Sequence, residues 1–292
     1  MFTSNETLRI AVQKKGRLSE KSLAIITSCG IDFGTGSRVL KNRAYNFPIE
    51  FLYLRDDDIP GYVYDGIADI GIVGHNEVAE KGYEVEIVRD LGFSKCRLSV
   101  AVPSGFSYSG LHDLAGRDIA TSYPNILRSC LKEQGVEAGI HEISGSVEIA
   151  PAIGLADAIC DLVSTGSTLI SNGLKEVEVL FRSSAVMVSR KGLAEESPAK
   201  QEILEKLLQR MDAVMLARDY KYILFNLPSD KIEQVSAIIP GMKSPTVTPL
   251  FKEGWSSVQT VVKEDDFWDI FEALKQLGAE GLLVTSIEKM AL

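Results

Sequence analysis

The chain is poor in cysteine, with four residues in 292, at positions 29, 96, 130 and 160, and no Cys-x-x-Cys pair. That spacing offers neither a zinc site nor a compact disulfide framework, and free thiols in a reducing compartment fit it better. Positive charge is also in deficit: 31 Lys plus Arg stand against 40 Asp plus Glu, a net charge of −9. Nucleic-acid surfaces are broadly basic, so this balance and the lack of a helix-turn-helix pattern argue against that class. Any polyanionic ligand must therefore meet cations gathered locally. No apolar run approaches the roughly 20 residues a membrane span needs, and the first nine residues carry no apolar signal region, so a cytoplasmic protein is expected. No Ser/His/Asp or Cys/His arrangement points to a base-activated nucleophile. At 45% hydrophobic, the chain is an ordinary soluble one, long enough for two or three domains.

The most informative stretch is residues 148–169. Residues 158–163 form an apolar run of strand length broken only by Asp161, followed by Ser164-Thr165-Gly166-Ser167-Thr168 before Leu169 resumes an apolar pattern. Gly166 lets the backbone turn at positive φ, successive N–H groups can then converge, and a following helix aims its unpaired donors the same way. Such a loop suits a phosphate, with the Asp161 carboxylate beside it where a sugar's hydroxyls would lie. Taken alone, the five loop residues also read as a plain capped helix start.

Upstream, residues 8–12 predict a strand, Ser19 a helix cap and Gly30 a helix stop. Lys14, Lys15 and Arg17 surround Gly16 beyond the strand's C-terminal end, where open α/β sheets hold ligands. They suit a triphosphate or pyrophosphate, or are a solvated surface. A second strand at 49–54 leads into Arg55, then Asp56, Asp57 and Asp58, with Pro60 in a first helical turn. Adjacent carboxylates on a helix start diverge, so the acidic run reads as capping rather than as a metal site, and Arg55 is the better ligand group. Residues 66–76 read as a buried strand and a glycine turn into a helix at Glu77; Gly71 and Gly74 would let a planar ligand approach, unless they are packing glycines. After a strand at 97–102 a second lobe begins, with a strand at 117–121. Tyr123 follows the latter and would stack on a purine or simply end a turn. Strands at 176–181 and 185–189 are expected back in the first lobe, and Pro198 starts a core-facing helix. From residue 222 the order is β-α-β-β-α-β (222–225, 230–239, 246–250, 257–262, 266–277, 281–286), a ferredoxin-like arrangement.

Glu148, Gly154, Ala156, Ile159, Asp161, Leu162, Thr165, Gly166, Thr168 and Leu169 together resemble the signature of the ATP phosphoribosyltransferase family, which opens histidine biosynthesis. Residues 13–19, 54–60, 120–124 and 287–290 resemble its long form, so the likeness covers nearly the whole chain. The resemblance implies an α/β fold of two periplasmic-binding-protein-like lobes with a double crossover. Lobe I would be 1–102 with 181–217, lobe II 103–180, and a ferredoxin-like, ACT-like regulatory domain 218–292. It implies that Asp161, Ser164, Thr165, Gly166, Ser167 and Thr168 hold phosphoribosyl pyrophosphate. Lys14, Gly16, Arg17, Arg55, Gly74, Asn76 and Tyr123 would serve ATP, and Glu148, Asp161 and Lys15 the reacting centre. Histidine, as inhibitor, would fall on Asn226, Met242, Thr246, Val261 and Gly281. Mg²⁺ is expected to be held mainly by substrate phosphates, and dimers to assemble into hexamers. The implied reaction joins adenine N1 of ATP to the ribose and releases pyrophosphate. Its nucleophilic lone pair is free at neutral pH, so the work is positioning and charge management. Two competing classes are a solute-binding module, which is usually exported and has no use for the terminal unit, and a metabolite-sensing regulator.

Overall fold

Short, nearly continuous apolar runs are what strands covered on both faces require, and three of them make the centre of the first sheet. The computed structural model describes residues 6–34, 40–239 and 244–291. The chain opens with β1 (Leu8–Gln13), α1 (Arg17–Ser28), β2 (Lys41–Arg43), β3 (Ile49–Leu54), α2 (Ile59–Tyr64), β4 (Ile70–Gly74), α3 (His75–Lys81) and β5 (Val85–Asp90). β3, β1 and β4 pair in parallel, with β1 central. The chain thus leaves β1 to one side and later returns to the other, which makes the C-terminal edge of β1 a topological switch point. Ser19, expected to cap α1, instead lies buried inside it, because the turn at Gly16 (φ +101°) starts the helix at Arg17.

The chain then enters a second sheet through β6 (Cys96–Pro103), β7 (Asp118–Thr121), α4 (Pro124–Glu133), β8 (Gly139–Glu142), β9 (Ala158–Val163), α5 (Ser167–Ser171) and β10 (Leu174–Ser183). Its order is β10-β6-β9-β7-β8, with β9, β7 and β8 parallel. β11 (Ala185–Arg190) returns to the first sheet, antiparallel between β4 and β5, giving the order β2-β3-β1-β4-β11-β5 and the second crossing between sheets. Two strands differ from expectation. β6, read as the end of the first lobe, and β10, read as a return to it, pair with each other in the second sheet. The cause is side-chain packing: Leu98, Val100 and Val102 of β6 close one core with Ile119, Leu127 and Cys160, while Ala101 joins Ile159, Val163 and Leu169 on the other face.

After α6 (Leu193–Glu196) comes α7 (Pro198–Arg218), with Ile203, Leu204, Leu207, Met211 and Val214 buried at helical spacing. The chain divides into two compact units. One holds residues up to Thr27 with Ile31–Leu204, and the other Ser28–Gly30 with residues from Glu205 onward. The second contains β12 (Tyr220–Pro228), α8 (Ile232–Ile238), β13 (Thr246–Pro249), β14 (Trp255–Lys263), α9 (Phe267–Gln276) and β15 (Glu280–Ser286). All pairs are antiparallel in the order β13-β14-β12-β15, the ferredoxin-like topology. Ile223, Phe225, Leu227, Val258 and Val262 face a core closed by Val235, Ile270 and Leu274 of α8 and α9. Among the described residues no helix is long and apolar enough to cross a membrane.

Candidate active site

Three sequence-predicted loops leave one edge of the first sheet. Gln13 lies opposite Leu54 and Val12 opposite Ile72, so Lys14 and Arg55 follow, and Gly74 ends, parallel neighbours at the same C-terminal edge. Lys14, Lys15, Gly16 and Arg17 are exposed, and the loop is anchored where the Lys14 N–H donates to the Leu54 carbonyl at 2.8 Å. The Gln13 amide donates to Asp56 at 3.0 Å. Arg55, also exposed, turns to Asp57, its Nε donating to Oδ1 at 3.1 Å and its Nη2 to Oδ2 at 3.4 Å. The acidic run does not cap the next helix: Asp58 makes no side-chain cap bond, and Asp56 is drawn off by Gln13 and by the Asp57 N–H. The two glycines differ. A Cβ at Gly71 would meet Ile59 Cγ2 at 2.6 Å, so that glycine admits α2 rather than a ligand. A Cβ at Gly74 would meet Asn76 Oδ1 at 2.4 Å, so this turn permits the Asn76 side chain to fold back.

The hydroxyl-rich loop leaves the corresponding edge of the second sheet. Gly166 has φ +82° and stands at the N-terminus of the one-turn helix α5. Thr165 Oγ1 and Ser167 Oγ lie 3.1 Å apart, and Ser164, Thr165, Ser167 and Thr168 are exposed. Among the described residues, the N–H groups of Thr165, Gly166, Ser167 and Thr168 donate to no backbone carbonyl, leaving them available to an anion. The loop's entry is held by Arg97, whose Nη1 donates to the Ser164 carbonyl at 3.1 Å while its guanidinium is paired with Glu176. Ser99 Oγ donates to the same glutamate at 2.7 Å. Asp161 sits partly buried just before the loop. Burial pushes its carboxyl up to about 6, against the stabilising hydrogen bond from the Leu162 N–H, and the Glu148 charge adds to the rise. Glu148 rides a 3-10 turn, Val147–Ile149, entered through Ser146 at φ +52°.

Asn76 and Tyr123 are brought together, along with residues that sequence reasoning missed. The Tyr123 hydroxyl donates to Glu77 Oε1 at 2.9 Å, and Asn76 Nδ2 donates to Glu77 Oε1 at 2.9 Å and to the Tyr123 oxygen at 3.2 Å. Ser183 Oγ donates to Asn76 Oδ1 at 2.8 Å and accepts from the Asn76 N–H at 3.0 Å. The Tyr123 ring packs against the second-sheet core that contains Leu127 and Cys160. Glu80, one turn further along α3, accepts from the N–H groups of Asn125 (2.9 Å) and Ile126 (3.0 Å) and so caps α4 from the other lobe. Glu77 and Glu80 are 7% and 6% exposed. Their only sequence signal was an acidic i, i+3 pair on a short helix, which ordinarily marks a solvated face.

In the second unit, Asn226, Thr246 and Val261 share the sheet face opposite α8 and α9, since each alternates with or pairs beside the buried residues. Gly281 is adjacent: its missing Cβ would lie 3.4 Å from Asn226 Nδ2. Met242 lies outside the described residues.

Two α/β lobes crossed twice, with an open hydroxyl-lined turn at the edge of one sheet and exposed cations at the edge of the other, define a two-lobed α/β protein. The comparisons specify its family. Residues 55–213 match the family described as ATP phosphoribosyltransferase, and residues 217–289 its C-terminal domain. The chain belongs to the ATP phosphoribosyltransferase family, the first enzyme of histidine biosynthesis. It is 58% identical over 283 residues to the ATP phosphoribosyltransferase of Cytophaga hutchinsonii, covering 97% of this chain and 98% of that one. With that of Bacteroides thetaiotaomicron it shares 56% identity, covering 97% and 99%. Among solved structures it resembles a chain of the ATP phosphoribosyl transferase (HisG:HisZ) complex from Thermotoga maritima, with TM-score 0.61 and 28% identity over 70% of this chain and 99% of that one.

Proposed function

We propose that the chain transfers a phosphoribosyl group from phosphoribosyl pyrophosphate to adenine N1 of ATP: the N1–C1 bond forms, the C1–oxygen bond breaks and pyrophosphate leaves. One observation carries the site assignment. A pair of polar links lies between the two ends: Gln13 bonds Asp56 beside the basic loop, and Tyr123 bonds Glu77 between the lobes, with Asp56 bearing electrostatically on Glu77 and Asp161 on Tyr123. The two ends are chemically distinct. Ser164, Thr165, Gly166, Ser167 and Thr168 take the 5′-phosphate, with Asp161 on the ribose hydroxyls. Lys14, Lys15, Gly16, Arg17 and Arg55 take the triphosphate and departing pyrophosphate, beside Gly74, Asn76 and Tyr123.

Mg²⁺ fits this donor set as an ion carried by substrate. The Glu148 charge bears on Asp161, so two carboxylates stand near one another, and Mg²⁺ bound with phosphates needs one or two. When bound, the ion neutralises charge on the pyrophosphate.

Residues 1–217 form the two catalytic lobes in this reading, and 218–292 a regulatory domain that takes histidine through Asn226, Met242, Thr246, Val261 and Gly281. The protein works in the cytoplasm as a homo-oligomer, dimer to hexamer. Incubation with ATP, phosphoribosyl pyrophosphate and Mg²⁺ should release pyrophosphate and give the N1-ribosylated adenine chromophore. Absence of both products from folded protein would overturn the assignment.

A further inference from the structure

Glu77 is a carboxylate buried where four segments meet, and no step of the transfer calls for it. Its Oε1 receives two hydrogen bonds, from the Tyr123 hydroxyl on the β7–α4 turn and from Asn76 Nδ2 on the β4–α3 turn. Asn76 is in turn fixed by Ser183 at the end of β10. Both Asn76 amide hydrogens and its carbonyl are thereby used, so its amide can point only one way. The network has neighbours on both sides. Asp56 and Asp57, next to the basic loop's anchor, bear on Glu77, while Asp161, at the entry to the phosphate loop, bears on Tyr123. Burial pushes the Glu77 carboxyl up against the Tyr123 hydrogen bond, with Asp56 and Asp57 adding to the rise and Lys81 opposing it. An apolar side chain would fill this space without the cost of burying a carboxyl.

We infer that Glu77 is a positioning residue for the transfer: by holding Tyr123 and Asn76 on one oxygen it sets the spacing between the turn that receives the adenine and the strand that carries Asp161. The inference rests on the transferase reading above. An in-line displacement is sensitive to such spacing because misplacement by about 1 Å can cost about 100-fold in rate while each half-site keeps its own contacts.

The test separates rate from affinity in the full chain. Active sites are counted by phosphoribosyl pyrophosphate binding, then kcat per site and the separate Kd values for ATP and phosphoribosyl pyrophosphate are measured for Glu77→Ala, Glu77→Gln and Tyr123→Phe. Glu77→Ala should lose at least about tenfold in kcat with both Kd values within about threefold of wild type. Glu77→Gln keeps an acceptor oxygen for both donors and should recover most of that loss. If Glu77→Ala does not fold, Tyr123→Phe, which keeps the ring and loses only the hydroxyl that Glu77 holds, should lower kcat likewise while the Kd for phosphoribosyl pyrophosphate stays within about threefold of wild type. Wild-type kcat per site in the folded variant, or affinities that fall in step with kcat without rescue by glutamine, would overturn the inference alone. A folded wild-type protein that releases no pyrophosphate would overturn the transferase reading and this inference with it.

Discussion

Asp161 ionises less readily than an ordinary aspartate, and the direction of that shift makes its role testable. Its carboxyl is raised to about 6, first by burial and then by the Glu148 charge. A raised acid favours its protonated form in the fold, so the free protein gains stability from this group below the ordinary aspartate range and loses it as pH rises through about 6. Binding runs the other way if the ribose hydroxyls and Mg²⁺ require the carboxylate. The Kd for phosphoribosyl pyrophosphate should rise as pH falls below about 6, and Asp161→Asn should remove that part of the dependence. The substrate's own phosphate also titrates near about 6, so the difference between the two titrations is the readout. At Gly166 the backbone, not the side chain, is at stake: a valine Cβ has room, with Val163 Cγ1 at 3.9 Å, but φ is +82°. Gly166→Val should therefore weaken binding more than Thr165→Val or Thr168→Val, each expected to cost about 1.5–3 kcal/mol if its hydroxyl bonds the charged phosphate. Equal affinities across the three folded variants in calorimetry would count against the cradle. Asp161 and Gly166 were legible in the sequence because strand, turn and helix start follow one another within about ten residues. Glu77 was not, since its partners Tyr123 and, through Asn76, Ser183 are remote in the chain.

At the scale of elements, the end of α4 shows what local signals miss. Pro124 correctly marks its start, but Tyr123 at the N-cap makes no side-chain capping bond, and the N–H groups of Asn125 and Ile126 are met by Glu80 of α3. Glu80→Ala should lower unfolding stability by about 1–3 kcal/mol, the range for leaving buried donors unpaired, and Glu80→Gln by less because its amide oxygen still accepts. Equal midpoints and slopes in urea for wild type and Glu80→Ala would show that the cap contributes nothing. Most strands were legible, as with residues 49–54 and 158–163, because hydrophobic runs and turn residues are local, but β2, β5 and β8 were not, having no continuous apolar run to mark them. Strand partnership was not. β6 and β10 carry no mark of which sheet they join, since an apolar run suits a covered position in either sheet. Pairing was decided by how Leu98, Val100 and Val102 fit over Ile119 and Cys160.

At the scale of the whole molecule, the family's second sequence block, residues 217–289, coincides with the ferredoxin-like unit. If histidine acts there, Asn226→Ala or Thr246→Ala in the full chain should raise the histidine concentration for half inhibition at least about fivefold, within the usual 1–3 kcal/mol of allosteric coupling. Unchanged inhibition in both variants would move the effector elsewhere. The catalytic lobes have a further property in how they are joined. β5 and β11 are antiparallel neighbours, with Asp90 opposite Val186, and β6 and β10 continue the same ribbon, with Cys96 opposite Ser183. Only Ser184 separates β10 from β11, and the strap is tied by Leu91 to Ala185, Ala185 to Phe93 and Ser184 to Asp90, at 2.9, 2.9 and 2.8 Å. The second lobe is thus an insertion into the tip of a hairpin. A two-stranded ribbon flexes across its flat face, yet stretching it or sliding one strand past the other breaks hydrogen bonds. Bending across its flat face is therefore the deformation this ribbon resists least, and a fluorescence distance across the lobes, measured with and without substrates, should report it.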